Sequence, residues 1–211
     1  MDEQLKLWAG NVVTHGNLVG LLQSYRAPND KIYRWMQEGA LIPLKRGLYM
    51  VASGVTADTP APDILAANHL YGPSYVSLEY ALFHHGLIIE RPYQITSVTL
   101  RRGKTYDTPR GRFSYQRVPE DYYAIGIVRE QPTSRMAYMI ASPEKALCDW
   151  LALTPGLSIH SVGGLRALLF EDMRLDEGNL RACDGVLTQR LLATGFRRQR
   201  LYWLAKLLEE L

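Results

Sequence analysis

Apolar and polar positions change rhythm along this chain, and each rhythm predicts an element. The sharpest run is Asn29 to Glu38. Ile32, Trp35 and Met36 recur at i, i+3 and i+4, so they share one helix face. The opposite face carries Asp30, Arg34 and Gln37, with Lys31 and Tyr33 on its flanks. Asn29 has an N-cap side chain, and Gly39 suits the position just past the helix end. Two short apolar runs follow, Leu41 to Leu44 and Leu48 to Val51, around Lys45-Arg46-Gly47. Such runs about a glycine-containing three-residue loop predict a β-hairpin.

Upstream, residues 1 to 13 predict a short amphipathic helix through Trp8. Thr14 to Ser24 predicts a second helix, with Thr14 as cap and Leu18, Leu21 and Leu22 as its stripe. Tyr25 to Pro28 is then the turn before the Asn29 helix. Together these elements outline a winged helix-turn-helix DNA-binding domain over residues 1–55. Ala52 to Pro62 is rich in Ser, Gly, Thr, Asp and Pro and reads as a linker. Residues 56–211 form the remainder. Helices are expected from Asp63 to Leu70 and from Ser74 to His85, stopped by Gly86. Strands are expected over 94–101, 112–118, 122–128 and 137–141, with Thr108-Pro109-Arg110-Gly111 as a turn. Ser142-Pro143-Glu144 opens a helix: serine at the N-cap, proline at N1, an acid in the first turn. From Ser161 the pattern is helical to the end. The expected fold class is α+β: an N-terminal winged helix-turn-helix, then a larger α+β domain with a four-stranded, mainly antiparallel sheet and a helical C-terminus.

A length of 211 residues leaves room for a sizeable core. No run of about 18 apolar residues occurs, so no membrane span is expected. The first residues show no signal-peptide pattern, and two cysteines, Cys148 and Cys183, fit a reducing compartment; a cytoplasmic protein is the expectation. Both cysteines read as small buried apolar residues. The net charge of +3 says less than its distribution. Arg101, Arg102, Lys104, Arg110, Arg112 and Arg117 face a single acid, Asp107, over 101–117. Arg190, Arg197, Arg198, Arg200 and Lys206 form a second run without acids. Such asymmetry suits a polyanion.

For duplex DNA the proposed contacts are Asn29, Lys31, Tyr33, Arg34, Gln37, Lys45 and Arg46. Arg34 has the geometry to bind guanine N7 and O6, and Gln37 to read adenine. Asn29, at the helix N-terminus, favours a phosphate. Lys45 and Arg46 at the hairpin tip would lie on the backbone. Arg101, Arg102, Lys104, Arg110 and Arg112 make a second basic surface, which would extend the DNA footprint, contact RNA or meet an acidic partner. Catalytic constellations are not apparent. Adjacent His84 and His85 on a helix would point about 100° apart and fail to share a metal ion. His15, His69 and His160 have no ligand partner at metal spacing, and no phosphate-binding glycine loop occurs. A nuclease would need an acid and a Glu-x-Lys pair on adjacent strands, whereas the strand from Ile95 to Leu100 holds no acid and Glu144-Lys145 are adjacent in a helix. The reading is therefore a non-enzymatic protein without cofactor or metal.

Four ordered stretches are familiar: GALIPLKRGLYMV at 39–51, LAANHLYGPSYVSLEYALFHHGLIIE at 65–90, ITSVTLRRGKTYDTPRGRFSYQRV at 95–118, and ASPEKALCDWL at 141–151. In these the chain resembles the AbiEi family of antitoxins from type IV toxin–antitoxin systems. The resemblance implies a winged-helix domain that binds operator DNA and represses its own operon. It also implies a C-terminal domain that counters a nucleotidyltransferase-like toxin without a stable complex. A stand-alone regulator whose C-terminal domain senses a ligand or protein would look similar, and a metal-dependent nuclease is the enzymatic alternative.

Overall fold

The computed structural model describes residues 3–52 and 61–211. In chain order the elements begin with α1 (Glu3–Lys6), β1 (Val12–Thr14), α2 (His15–Leu21), α3 (Pro28–Gln37), β2 (Leu41–Lys45) and β3 (Leu48–Val51). The next are α4 (Ala61–Leu70), β4 (Ser74–Val76), α5 (Leu78–His84), β5 (Gln94–Thr99), β6 (Lys104–Thr108) and β7 (Gly111–Arg117). The chain continues with α6 (Glu120–Tyr123), β8 (Ile127–Thr133), β9 (Met136–Ala141) and α7 (Pro143–Leu153). It ends with α8 (Val162–Ala167), a π-helical turn (Leu168–Asp172), α9 (Glu177–Arg181), α10 (Gly185–Ala193) and α11 (Arg198–Glu210).

The first six elements form a small unit. β1, β3 and β2 make a three-stranded antiparallel sheet in that order. β1 was not anticipated; the expected helix through Trp8 is a single turn, and Val12–Thr14 instead pairs with Leu48–Met50. Alternation along β3 divides its side chains between two cores. Val51 joins Val13, Leu18, Leu22, Ile32, Trp35 and Leu41 beneath α2 and α3. Leu48 and Met50 point the other way and join the large core, as does Leu44.

The larger unit is built on a six-stranded sheet ordered β6-β7-β5-β4-β9-β8. Its pairing is mainly antiparallel, as expected, but mixed with two parallel pairs. β4–β9 and β5–β7 are parallel pairs, whereas β4–β5, β6–β7 and β8–β9 are antiparallel. The expected helix from Ser74 is corrected: Ser74–Val76 is the central strand β4, and helix begins only at Leu78. All three β4 residues are buried. A strand covered on both faces shows no in–out alternation, and so short a run has no period to distinguish it from a buried helix. The strand expected over 122–128 is also displaced. Pro119 caps the turn α6, with Glu120 and Asp121 in its first turn, and β8 starts only at Ile127, after Gly126 at φ +77°. Ser142 caps α7 as the sequence implies, its hydroxyl accepting from the Lys145 amide. The Ala52–Pro62 linker and the boundary at residue 55 fall largely outside the described residues.

Candidate nucleic-acid interface

α3 is fixed by local sequence at both ends. Pro28 occupies N1 after Ala27 as N-cap, so Asn29 sits one position further in and makes no cap. That corrects the expected Asn29 start. At the other end Gly39 adopts φ +71°. Its amide donates to Met36 at 3.1 Å, and the Ala40 amide donates to Trp35 at 2.9 Å, the paired bonds of a Schellman motif. Ile32 and Trp35 are buried, and Met36 is packed against the same cluster. Asn29, Asp30, Arg34 and Gln37 are exposed, and Tyr33 is 60% exposed. Lys31 folds back along the helix flank, its ammonium 5.2 Å from the Trp35 ring and 5.8 Å from that of Tyr25.

At the hairpin tip Gly47 takes φ +75°, and its carbonyl accepts from the His15 amide at 2.9 Å. The two tip cations then part company. Arg46 is exposed. The Lys45 ammonium donates to the Leu70 carbonyl at 2.5 Å and the His69 carbonyl at 3.5 Å. These are carbonyls of the last turn of α4, where a cation meets the negative end of the helix dipole. Lys45, expected on a phosphate backbone, is engaged with the protein's own helix. Burial, then the Lys45 charge, holds the His69 imidazole below its ordinary pKa.

Next to that helix end, Tyr71 gathers part of the 101–117 run. The Arg101 guanidinium lies 5.8 Å and the Lys104 ammonium 5.7 Å from its ring centroid, and Lys104 is 4.6 Å from the Tyr106 ring. The Tyr71 hydroxyl donates to the Arg102 carbonyl at 3.1 Å. Tyr115 stacks edge-on at 5.3 Å and donates to the Ala67 carbonyl at 2.7 Å. Lys45, Arg101 and Lys104 thus converge on the end of α4.

The remaining cations of that run lie elsewhere. Arg110 reaches buried Asp63, with Nε at 2.9 Å and Nη2 at 2.6 Å from Oδ1. Arg112 approaches Asp107 at 3.7 Å. The expected second basic surface therefore splits: Arg101, Arg102 and Lys104 stay exposed, whereas Arg110 holds the fold together.

Sequence reasoning missed a buried polar cluster. Lys145 and Asp149 face each other at 3.3 Å on α7, both with no exposed surface. Ser77 and Tyr75 donate to Asp149 Oδ2 at 2.6 and 3.0 Å, and Lys145 donates to the Tyr122 carbonyl at 2.9 Å. A Lys and an Asp four apart inside an apolar helix were the available signal. Burial lowers the Lys145 pKa and, with Asp149 next, raises those of Tyr75 and Tyr122 well above the usual range. Enclosed from solvent, this network joins α7 to β4 and α6.

The residues weighed for nuclease chemistry do not meet. Glu79 lines a cleft of about 700 Å³ with Glu90, Glu171 and Asp172. Glu144 accepts from the Asp184 amide at 2.9 Å, and Lys145 is buried. Cys148 and Cys183 are free thiols, the first buried and the second partly exposed; burial pushes the Cys183 thiol up to about 12. His15 lies beside Tyr49 and His160 beside Ser158. The expected divergence of His84 and His85 is corrected. α5 ends at His84, His85 leaves the helix as its cap, and the two rings lie 5.1 Å apart.

No family model matches the sequence, and no curated protein matches it. Among solved structures the chain is similar to the RV2827C protein from Mycobacterium tuberculosis, with 17% identity and a TM-score of 0.49 over 92% of this chain and 75% of that one. So distant a likeness transfers no role.

Proposed function

We propose that residues 1–55 form a winged helix-turn-helix and that the protein is a DNA-binding transcriptional repressor of its own operon. The observation that carries this reading is the outer face of α3. Tyr33, Arg34 and Gln37 stand exposed on a helix whose other face is sealed into a core. A helix so mounted, roughly 10–12 Å across with its side chains, fits a major groove about 12 Å wide. Arg34 would take guanine, Gln37 adenine, and Asn29 and Lys31 would flank the phosphates. Arg46 would be the wing's contact, with Lys45 acting by fixing the wing to α4. Arg101, Arg102 and Lys104 would continue the positive surface along the same operator.

The stretches shared with AbiEi antitoxins extend the proposal to antitoxin activity in a type IV pair. The partner would be a nucleotidyltransferase-like toxin, countered without a stable complex. DNA binding and toxin neutralisation are then separable functions of one chain.

The test is Arg34→Ala on the duplex just upstream of the gene and on a random duplex. A bidentate arginine–guanine contact gives about 1–3 kcal/mol of discrimination. The ratio of specific to random affinity should therefore fall about 5- to 150-fold, while random binding changes little. Equal losses on both duplexes would remove α3 from the base-reading role. The same variant, co-expressed with a nucleotidyltransferase encoded beside it, should still protect cells.

A further inference from the structure

The corrected geometry at the end of α5 brings three potential ligands together. His84 is the last helical residue and His85 its cap, and Glu130 comes from the edge strand β8. One ligand atom from each of the three lies within 4.8 Å of the other two. His84 Nε2 and Glu130 Oε2 are 2.9 Å apart. The Tyr138 hydroxyl donates to the same Glu130 oxygen at 2.9 Å. His85 Nε2 lies 2.7 Å from the Ala141 carbonyl. A carbonyl only accepts, so that nitrogen carries the proton and His85 Nδ1 keeps its lone pair.

This arrangement resembles a prepared cation site in two respects. Ligating histidines ordinarily donate their second ring N–H to a carbonyl or carboxylate, and ligating carboxylates are themselves hydrogen-bonded. Here the Ala141 carbonyl and the Tyr138 hydroxyl hold those outer positions. Ligands of one tetrahedral zinc ion, bound at about 2.0–2.1 Å, lie roughly 3.3 Å apart. Binding would therefore draw together ligand atoms that now lie within 4.8 Å of one another. His84 and Glu130 side chains are 16% and 32% exposed, so the site is lined by protein yet reachable from solvent.

We propose that His84, His85 and Glu130 bind a divalent transition-metal cation, zinc by preference, with the fourth position open to water. Two imidazoles and one carboxylate are a borderline donor set, suited to zinc, cobalt, nickel or copper rather than to magnesium or calcium. The bound cation would tie the end of α5 to the β8–β9 hairpin. The inference stands independently of the DNA-binding reading.

The experiment uses the full chain, stripped with chelator and titrated with Zn²⁺ by calorimetry and with Co²⁺ by visible absorption. The expected result is one ion per chain, a tetrahedral or five-coordinate cobalt band, and a raised unfolding midpoint with metal. Glu130→Gln and His85→Gln should each weaken binding at least tenfold, with circular dichroism unchanged. His160→Gln, outside the cluster, should bind as the unaltered chain does. Absence of stoichiometric binding would overturn the site. So would binding that survives both cluster substitutions undiminished. Should either cluster variant misfold, diethylpyrocarbonate modification of the unaltered chain decides: Zn²⁺ should protect two histidines, and no protection would count as failure.

Discussion

Asp63 is enclosed in the first turn of α4, and two guanidinium groups reach it. Arg110 makes the close contacts, and Arg91 stands 3.9 Å away. Removing Arg110 would leave a buried carboxylate with one distant counter-charge. Breaking a fully enclosed pair costs about 3–5 kcal/mol. Because Arg91 remains and Arg110 is 29% exposed, Arg110→Ala should cost less, about 2–3 kcal/mol. Urea unfolding measures this, and a loss under about 0.5 kcal/mol would show the pair to be ordinary surface charge. If the proposed DNA binding holds, its salt dependence should stay as it is in this variant, whereas Arg46→Ala should reduce the slope by about one unit. At this scale the sequence distinguishes exposed from buried where period decides, as for Arg34 against Trp35. It does not say which partner a cation finds across 47 residues, and so Arg110 and Arg34 look alike in composition.

Elements are legible when their end signals are local. α3 has Pro28 and Gly39, and α7 has Ser142 and Pro143; both helices lie within a residue or two of their expected places. β4 and α6 are not legible locally, because their identity depends on sheet neighbours and on the Pro119-Glu120-Asp121 start, which competes with the β-rich run after it. The end of α4 is an element-level device of the same long-range kind, since its cation arrives from β2. Lys45→Met should remove about 0.5–1 kcal/mol of dipole and carbonyl stabilisation. It also withdraws one of the two causes that lower the His69 pKa, leaving burial. The His69 pKa, followed by NMR, should therefore rise part of the way toward 6.5. A depressed histidine contributes stability that is present above its unfolded pKa and lost as pH falls through the folded value. The variant should accordingly lose less stability than the unaltered chain on acidification below about pH 6.5. An unmoved His69 resonance would mean that Lys45 does not occupy the helix end in solution.

On the scale of the whole molecule, the small unit is not a bead on a string. Its sheet has two apolar faces: Leu41 and Val51 look toward α2 and α3, while Leu44, Leu48 and Met50 sit in the core built on α4 and the six-stranded sheet. Packing on both faces holds α3 at one distance and angle from Arg101 and Lys104, as the proposed operator footprint would require. The same packing couples the stabilities of the two units. Met50→Ala removes a buried side chain from the shared face and should cost about 2–5 kcal/mol. That loss should appear in both units together, because Met50 belongs to β3 of the small sheet yet packs in the large core. Variants retaining only Trp35 or only Trp150 report the small and large cores separately. Their urea midpoints should coincide, and Met50→Ala should lower both equally. Separate midpoints would mean that the units fold independently, and α3 would then not be held at one spacing from the basic cluster, which would count against a single continuous surface for the proposed DNA contact.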